Sequence, residues 1–304
     1  MCGIAAILYK ESRSAPVGQQ LIAMLQSLRH RGFDSTGVTI AGQNISSGNL
    51  VITLRLNGQR PILEIRDRIE EMATKLSSEI GEMIEMEQHL RLTLKNSVDV
   101  NRLADELKGL GGVEIDSIGT NSQVIKDVGD AVALDMKHKI SSLKGIHGIG
   151  HVRLATESVV DVTHSHPFWA YPFPDITVVH NGQLTNYRKL KRMYMDKGNH
   201  FQTHNDSELI AVYLADKLSQ GINLRDALNQ SLTELDGSYT YVVSTRDSIG
   251  FAKEKWSFKP LVFMERPDVV AVASEEAALG KIFPEEIDRV EPQQKEIMTW
   301  QTSA

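Results

Sequence analysis

The sequence predicts an α+β protein, because strand-like segments come in clusters before and after groups of helix-like segments and do not alternate with them. The chain opens with an apolar run at 3–9, the length of a buried strand. Further strand patterns are at 146–152, 176–180, 238–245, 249–252, 261–264 and 269–273. Helix patterns are at 187–196, 206–218 and 224–235.

The first strand is followed by a helix pattern and then by two β-branched runs. Apolar residues recur at three and four positions from Leu21 to Leu28, and Pro16 suits the first turn of that helix. The runs at 37–40 and 50–54 are separated by a polar, glycine-containing stretch. This pattern predicts a hairpin with a long turn.

The character of the chain changes after Pro61. From Ile65 to Leu90 apolar residues recur mostly at three or four positions on a glutamate-rich background, which predicts a long amphipathic helix. A shorter helix pattern follows at 100–107, before a cluster of glycines. We therefore expect one domain over 1–304 that is interrupted by a helical insertion at about 61–141.

Composition excludes several classes of protein. The 304 residues include one cysteine, so no internal disulfide can form, and no apolar run reaches the ~18 residues of a membrane span. The first residues contain no basic leader, so we expect a cytoplasmic protein. A net charge of -6 argues against nucleic acid and anionic membrane as partners. Small molecules and other proteins remain as the expected binding partners.

The single cysteine is residue 2. If the initiator Met1 is removed, the Cys2 thiol shares a residue with a free α-amine, which titrates at about 7.7–8.0 and is a general base when neutral. The amine can take the thiol proton directly or through one water, and the thiolate can attack a carbonyl. The alternative is an incidental small residue at a strand start. The presence of the other residues of an amide-hydrolysing site decides between a nucleophile and an incidental residue.

Asn181 and Gly182 follow an apolar strand. The asparagine side chain has two N–H donors and the glycine N–H is unobstructed, so both can converge on an oxyanion. An Asn-Gly pair is also a common hairpin turn. The segment after it has a helix pattern, which weakens the turn interpretation.

Arg153 ends a glycine-flanked strand, and Asp206 lies at the start of a helix. A guanidinium suits a carboxylate and an aspartate suits an ammonium, so the pair fits a zwitterionic amino acid. Alternatively, Arg153 is a solvated charge and Asp206 the N-cap of its helix.

Six short motifs in this order resemble the class II glutamine amidotransferase domain. They are Met-Cys-Gly-Ile at 1–4, Arg-Gly-Phe-Asp-Ser-Thr-Gly at 31–37, Gly-His-Val-Arg-Leu-Ala-Thr at 150–156, Ser-His-Pro at 165–167, His-Asn-Gly at 180–182 and Asn-Asp-Ser-Glu at 205–208. The resemblance implies an N-terminal-nucleophile hydrolase fold, a four-layer αββα sandwich. The family often has Trp after the arginine, where this chain has Leu154.

The resemblance also implies a role for each matching residue. Cys2 would form a γ-glutamyl thioester, and Asn181 with the Gly182 amide would form the oxyanion hole. Arg153 would bind the glutamine carboxylate and Asp206 its α-ammonium. The remaining matching residues would line or support the pocket: Thr156, His166 and Arg31. No cofactor and no metal are expected.

The family usually joins this domain to a synthase, for which 304 residues leave no room. We therefore expect ammonia to pass to a separate synthase subunit. The chain most resembles the amidotransferase subunit of glutamate synthase-like or N-methylglutamate synthase-like enzymes.

Three other functions stay open. Histidine pairs at 147/151, 164/166 and 200/204 suggest a metal hydrolase as one alternative, but no His-Glu-x-x-His motif is present. The chain could also be a non-catalytic regulatory module that keeps the fold, or an N-terminal-nucleophile hydrolase of another amide.

Overall fold

The computed structural model describes residues 2–11, 14–42, 48–95, 98–155, 159–285 and 288–303. The strands in these ranges are β1 (Gly3–Tyr9), β2 (Ser35–Ala41), β3 (Leu50–Leu56), β4 (Glu79–Met86), β5 (His89–Lys95), β6 (Val113–Gly119), β7 (Ser122–Val128), β8 (His147–Arg153), β9 (Phe168–Trp169), β10 (Thr177–Leu184), β11 (Gly237–Ser244), β12 (Ser248–Lys253), β13 (Val262–Glu265), β14 (Val269–Ala273) and β15 (Glu296–Gln301). The α-helices are α1 (Val17–Ser27), α2 (Ile62–Lys75), α3 (Val100–Gly109), α4 (Ala131–His138), α5 (Tyr187–Asp196), α6 (Asp206–Ser219), α7 (Leu224–Glu234) and α8 (Glu276–Leu279).

Two antiparallel sheets form the centre of the molecule. One sheet has six strands in the order β13-β14-β1-β8-β2-β7, and the other has five in the order β15-β12-β11-β10-β9. Apolar side chains of both sheets, among them Ile4, Val179 and Phe251, pack in one cluster between them. The sheets therefore lie face to face.

Helices cover the outer faces of both sheets. Helices α1, α4 and α8 share an apolar cluster with the outer face of the six-stranded sheet. Helices α5, α6 and α7 share another with the outer face of the five-stranded sheet. The result is an α+β sandwich of four layers, α-β-β-α, as the family resemblance implies.

Strand β1 shows why its sequence is apolar at every position. Ala5 and Ile7 belong to the cluster under the helices, whereas Ile4, Ala6 and Leu8 belong to the cluster between the sheets. Successive side chains of a strand point to opposite faces, so a strand covered on both faces has no polar alternation. The predictions of strands on both sides of the insertion and of α5, α6 and α7 are confirmed within a few residues.

The prediction of a helical insertion at about 61–141 is wrong. Helix α2 ends at Lys75, and the rest of the predicted long helix forms the hairpin of β4 and β5. Both belong to a four-stranded sheet, β4-β5-β3-β6, whose core is shared with α2 and α3. The physical reason is the alternation of Leu90, Leu92 and Leu94, which buries one face of a strand.

The last part of the 61–141 segment belongs to the central sandwich. Strand β7 pairs with β2 along its whole length, and Ala131 and Leu134 of α4 pack in the cluster under α1. The predicted hairpin of 37–40 with 50–54 is also wrong, since β2 lies in the six-stranded sheet and β3 in the four-stranded one. Its predicted turn lies partly outside the described residues.

The buried carboxylate of Asp175 helps to tie the four-stranded sheet to the sandwich. Asp175 precedes β10 and is buried. Its side chain accepts hydrogen bonds from the backbone N–H groups of Thr120, Asn121 and Ser122 at 2.9–3.1 Å, and from the hydroxyls of Thr120 and Ser122. These residues form the turn between β6 and β7, where the chain passes from one sheet to the other.

Over the described ranges, none of the helices combines the length and the apolar character that crossing a bilayer requires.

We expect Asp175→Ala to lower the free energy of unfolding by about 3 kcal/mol, because it leaves several buried donors without their charged acceptor. Urea denaturation measures the change. Asp268, which is exposed, provides the matched control, and Asp268→Ala should stay within about 0.5 kcal/mol of the wild type. Equal losses in the two variants would contradict the anchoring role of Asp175.

Candidate active site

Cys2 lies directly before β1 and is held through its backbone. Its carbonyl oxygen accepts hydrogen bonds from Arg31 Nε at 2.9 Å and from Asn181 Nδ2 at 3.1 Å. Its half-buried Sγ lies 3.4 Å from the backbone nitrogen of Leu154 and 3.7 Å from its carbonyl oxygen. The thiol therefore has a fixed place at the end of β8, beside the backbone of Leu154.

A cavity of about 730 Å³ opens beside Cys2. Its lining includes all but one of the predicted site residues, namely Cys2, Arg31, Arg153, His166, Asn181, Gly182 and Asp206. Thr156 and Met1 lie outside the described residues. Residues from distant parts of the sequence thus meet around one sulfur atom.

Asn181 and Gly182 do not form a hairpin turn. Both lie inside β10 and pair with Thr240 and Tyr239 of β11. Gly182 has φ +132°, and a Cβ atom there would lie 2.0 Å from the carbonyl oxygen of Ser238. Only glycine fits this position. Because both residues lie inside a paired strand, the turn interpretation of the sequence is wrong.

Arg31 connects Cys2 to the region after β14. Its side chain is buried, and besides Cys2 it binds the carboxylate of Glu275, which also pairs with His30. Partial burial opposes ionisation of Glu275, but the hydrogen bonds from Arg31 and His30 outweigh it and lower the pKa of that carboxyl. Arg31 therefore carries its charge opposite a carboxylate that stays ionised.

Arg153 and Asp206 line the cavity from different layers. The Arg153 side chain is buried, with Nη1 and Nη2 at 3.3 and 3.4 Å from the carbonyl oxygen of Val159. Asn205 is the N-cap of α6, since its side chain accepts a hydrogen bond from the Ser207 backbone. Asp206 instead accepts a hydrogen bond from the Leu184 N–H at 2.9 Å. The N-cap interpretation of Asp206 is wrong, and its carboxylate borders the cavity.

Buried histidines and a serine form the wall between these groups. His166 Nε2 and His180 Nδ1 lie 2.8 and 2.9 Å from Ser207 Oγ, and His180 lies 3.7 Å from Asp206. His151 packs on His166 with ring centroids 4.1 Å apart. Burial lowers the pKa of every one of these imidazoles, to about 3 for His151. The wall is therefore uncharged at neutral pH.

The histidine pairs of the sequence do not assemble a metal site. Within the described ranges, the group of potential ligands close enough to hold an ion consists of His89, Asp127 and His138. It contains none of the predicted pairs, and Lys137 already pairs with its carboxylate.

Several cavity residues were missed by the sequence predictions: His164, His180, Tyr187, Ser207 and Lys259. His180 and Ser207 belong to the motifs His-Asn-Gly and Asn-Asp-Ser-Glu, so a motif signal existed for both. Lys259 has no such signal, because it reaches the cavity from the connection between β12 and β13.

Comparison with known proteins agrees with this geometry. A putative glutamine amidotransferase of Methanothermobacter thermautotrophicus is 36% identical over 299 residues, covering 96% of this chain and 97% of its own. This chain belongs to the glutamine amidotransferase family. The family model for the glutamine amidotransferase domain matches residues 151–281 of this amidotransferase. The glutamine amidotransferase-like protein GlxB of Rhizobium meliloti is 32% identical over 311 residues, covering 99% and 98% of the two chains.

The fold of the amidotransferase resembles solved structures. A glutamine phosphoribosylpyrophosphate amidotransferase from B. subtilis matches with a TM-score of 0.61 at 21% identity, over 99% of this chain. This chain spans 47% of the length of that protein. The similarity confirms the predicted fold, an α+β sandwich of four layers.

The buried histidines predict a pH dependence of stability. Burial lowers the pKa of His147 to about 4 and that of His151 to about 3. In the unfolded chain both titrate at about 6.5, so below that pH the unfolded state binds protons that the folded state does not. We expect the free energy of unfolding to fall between about pH 6.5 and 4, by at most about 1.4 kcal/mol per pH unit for each histidine.

Urea denaturation in steps from pH 7.5 to 4.5 measures this slope. His147→Gln should reduce the slope, whereas a change at the exposed His200, His200→Gln, should leave it as in the wild type. Carboxyls with a lowered pKa, such as Glu275, add to the slope only below about pH 4.5. A flat profile down to pH 4.5 would show that the histidines are protonated in the fold.

Proposed function

We propose that this amidotransferase hydrolyses the side-chain amide of glutamine through a thioester on Cys2. The observation that carries the proposal is the cavity that brings the sole cysteine together with Asn181, Gly182, Arg153 and Asp206. Each of these has a function in amide hydrolysis of an amino acid.

The reaction begins with removal of Met1, which frees the α-amine of Cys2. As a neutral base the amine takes the Sγ proton, and the thiolate attacks the carbonyl carbon of the glutamine amide. The oxyanion that forms accepts hydrogen bonds from the Asn181 side chain and the Gly182 N–H. The amine proton then passes to the leaving nitrogen, ammonia departs, and water hydrolyses the thioester to glutamate.

Substrate recognition uses the two charges at the cavity wall. Arg153 binds the α-carboxylate of glutamine, and Asp206 binds its α-ammonium. His166 lines the pocket, while Arg31 donates a hydrogen bond to the Cys2 carbonyl and keeps the thiol in place. Two opposite charges at a fixed separation select a zwitterion over a simple amide.

The ammonia passes to a separate synthase subunit, which we propose to be glutamate synthase-like. This is supported by the extent of the relatives, since the protein from M. thermautotrophicus is matched over 97% of its length and GlxB over 98%. In contrast, the structural neighbour from B. subtilis has about as much chain again beyond the matched part. A reducing, cytoplasmic location suits a free catalytic thiol.

Incubation with 6-diazo-5-oxo-L-norleucine, an electrophilic analogue of glutamine, tests the thioester chemistry. We expect the intact mass of a chain without Met1 plus one adduct, located on Cys2 by peptide mapping. Glutamine should protect against labelling, and Cys2→Ser should abolish both the adduct and glutaminase activity. Because the chain has one cysteine, no other thiol can produce the same result. A retained Met1, or no adduct at Cys2, would rule out the enzyme and favour a non-catalytic module.

The proposed transfer of ammonia to a synthase subunit must be tested with that subunit present. Tagged protein is purified from its own cells, and synthesis by the co-purified complex is compared with glutamine and with ammonium as nitrogen source. Cys2→Ser should abolish glutamine-dependent synthesis and leave ammonium-dependent synthesis within about twofold of the wild type, because only the nucleophile is removed. Equal loss of both activities would contradict a separate synthase site.

A further inference from the structure

His151 is a buried side chain that the proposed chemistry leaves without a role. It lies on β8 two residues before Arg153 and is 1% exposed. It is absent from the cavity lining, so it does not touch a substrate there. Its Nε2 atom lies 3.0 Å from Oδ1 of Asn181. Among the residues of the proposed oxyanion hole, His151 therefore contacts the Asn181 side chain, while its ring also packs on His166.

The orientation of the Asn181 amide decides whether it can stabilise an oxyanion. A half-turn of the amide exchanges the NH₂ group for the oxygen, and only the NH₂ group is a donor. On the Cys2 side, Nδ2 is 3.1 Å from the Cys2 carbonyl oxygen and 3.4 Å from Ser274 Oγ. On the other side, Oδ1 faces His151 alone among the hydrogen bonds of the described residues.

The proton of His151 must be on Nε2 for this arrangement. In the described part of the chain, its Nδ1 atom is buried and has no hydrogen-bond partner. A proton on Nδ1 would leave a buried N–H without an acceptor, and would set a lone pair of Nε2 against the lone pairs of Asn181 Oδ1. The Nε2–H tautomer avoids both costs, because Nε2 donates to Oδ1.

We propose that His151 is a positioning residue that donates a hydrogen bond to Asn181 Oδ1 and thereby turns the Asn181 NH₂ group toward the oxyanion. This proposal rests on the proposed function. The contact with His166 supports it, since two imidazoles with centroids 4.1 Å apart inside the protein resist protonation of either ring. A neutral His151 donates through one nitrogen only and holds one orientation of the amide across the working pH range.

Steady-state kinetics with His151→Leu tests the role. Complete loss of an oxyanion donor costs about 10²–10³ in kcat, so we expect loss of its orientation to lower kcat about 10- to 100-fold. KM for glutamine should stay within about threefold, because His151 does not line the pocket. His151→Gln can still donate an N–H to Oδ1 and should recover kcat to within about tenfold of the wild type.

His147→Leu is the matched control. His147 lies on the same strand, is equally buried, and bonds to Ser244 and Thr245 instead of Asn181. It measures what the loss of a buried imidazole from β8 does to activity through stability alone. We expect its kcat to remain within about twofold of the wild type.

A readout without activity completes the test. Nitrogen-15 histidine labelling reports the tautomer of each imidazole, with the His151 signals assigned by their loss in His151→Gln. We expect the Nε2–H tautomer from pH 5.5 to 8, and the Nδ1–H tautomer or an imidazolium would overturn the proposal.

The two proposals fail in different ways. If the wild type hydrolyses no glutamine, the proposed function is wrong, and so is the positioning role that rests on it. If the wild type is active and His151→Leu matches His147→Leu in kcat, the positioning role alone fails.

Discussion

The burial of β1 on both faces is the constraint on which the rest of the structure depends. Ile4 to Leu8 are completely inaccessible to solvent, and the strand pairs with β14 on one side and β8 on the other. A strand in this place cannot shift by one residue without turning its apolar side chains to the wrong layer. The register of β1 therefore fixes where the preceding residue, Cys2, lies. Arg31 and Asn181, which come from different layers, then only need to hold its carbonyl.

The interior changes from apolar to polar where the sandwich reaches the active site. Between the sheets, Val179 and Ile149 are followed along their strands by Asn181 and His151. Polar groups are buried at acceptable cost only when they are hydrogen-bonded and uncharged. The imidazoles meet both conditions, because Ser207 and Asn181 bond to them and burial keeps their pKa low. These imidazoles thus border the site as rigid dipoles that add no charge of their own.

Local patterns predicted the elements that pack on the sandwich. Helix α5 has the predicted bounds, and β1 was recognised because it is apolar without interruption. The prediction failed where two periodicities share one segment, since the spacing that ends at Lys75 continues by chance through Ile80 and Met83 of a hairpin. The assignment of each strand to its sheet could not be predicted, for another reason. Which strand accepts β3 depends on partners far along the chain, and no local pattern records them.

The sequence predicted the residues of the site but not the hydrogen bonds between them. Motif order identified Cys2, Arg153, Asn181 and Asp206, which the structure brings to one cavity. The sequence did not indicate that Asn205 caps α6 and leaves Asp206 free for the cavity, because both residues favour the same position. Nor did it indicate the bond from His151 to Asn181, which joins neighbouring sheets across 30 positions of sequence.

The pairing of β1 with β14 also determines when the active site can form during synthesis. The backbone N–H of Ile4 donates to Ser274 Oγ across 270 positions of sequence. Arg31 is made soon after Cys2 and Asn181 near the middle of the chain, whereas Ser274, which lies 3.4 Å from Asn181 Nδ2, is made much later. Closure of so long a loop is among the slow steps of folding. The surroundings of Cys2 are therefore complete only after β14 has been made and has paired with β1.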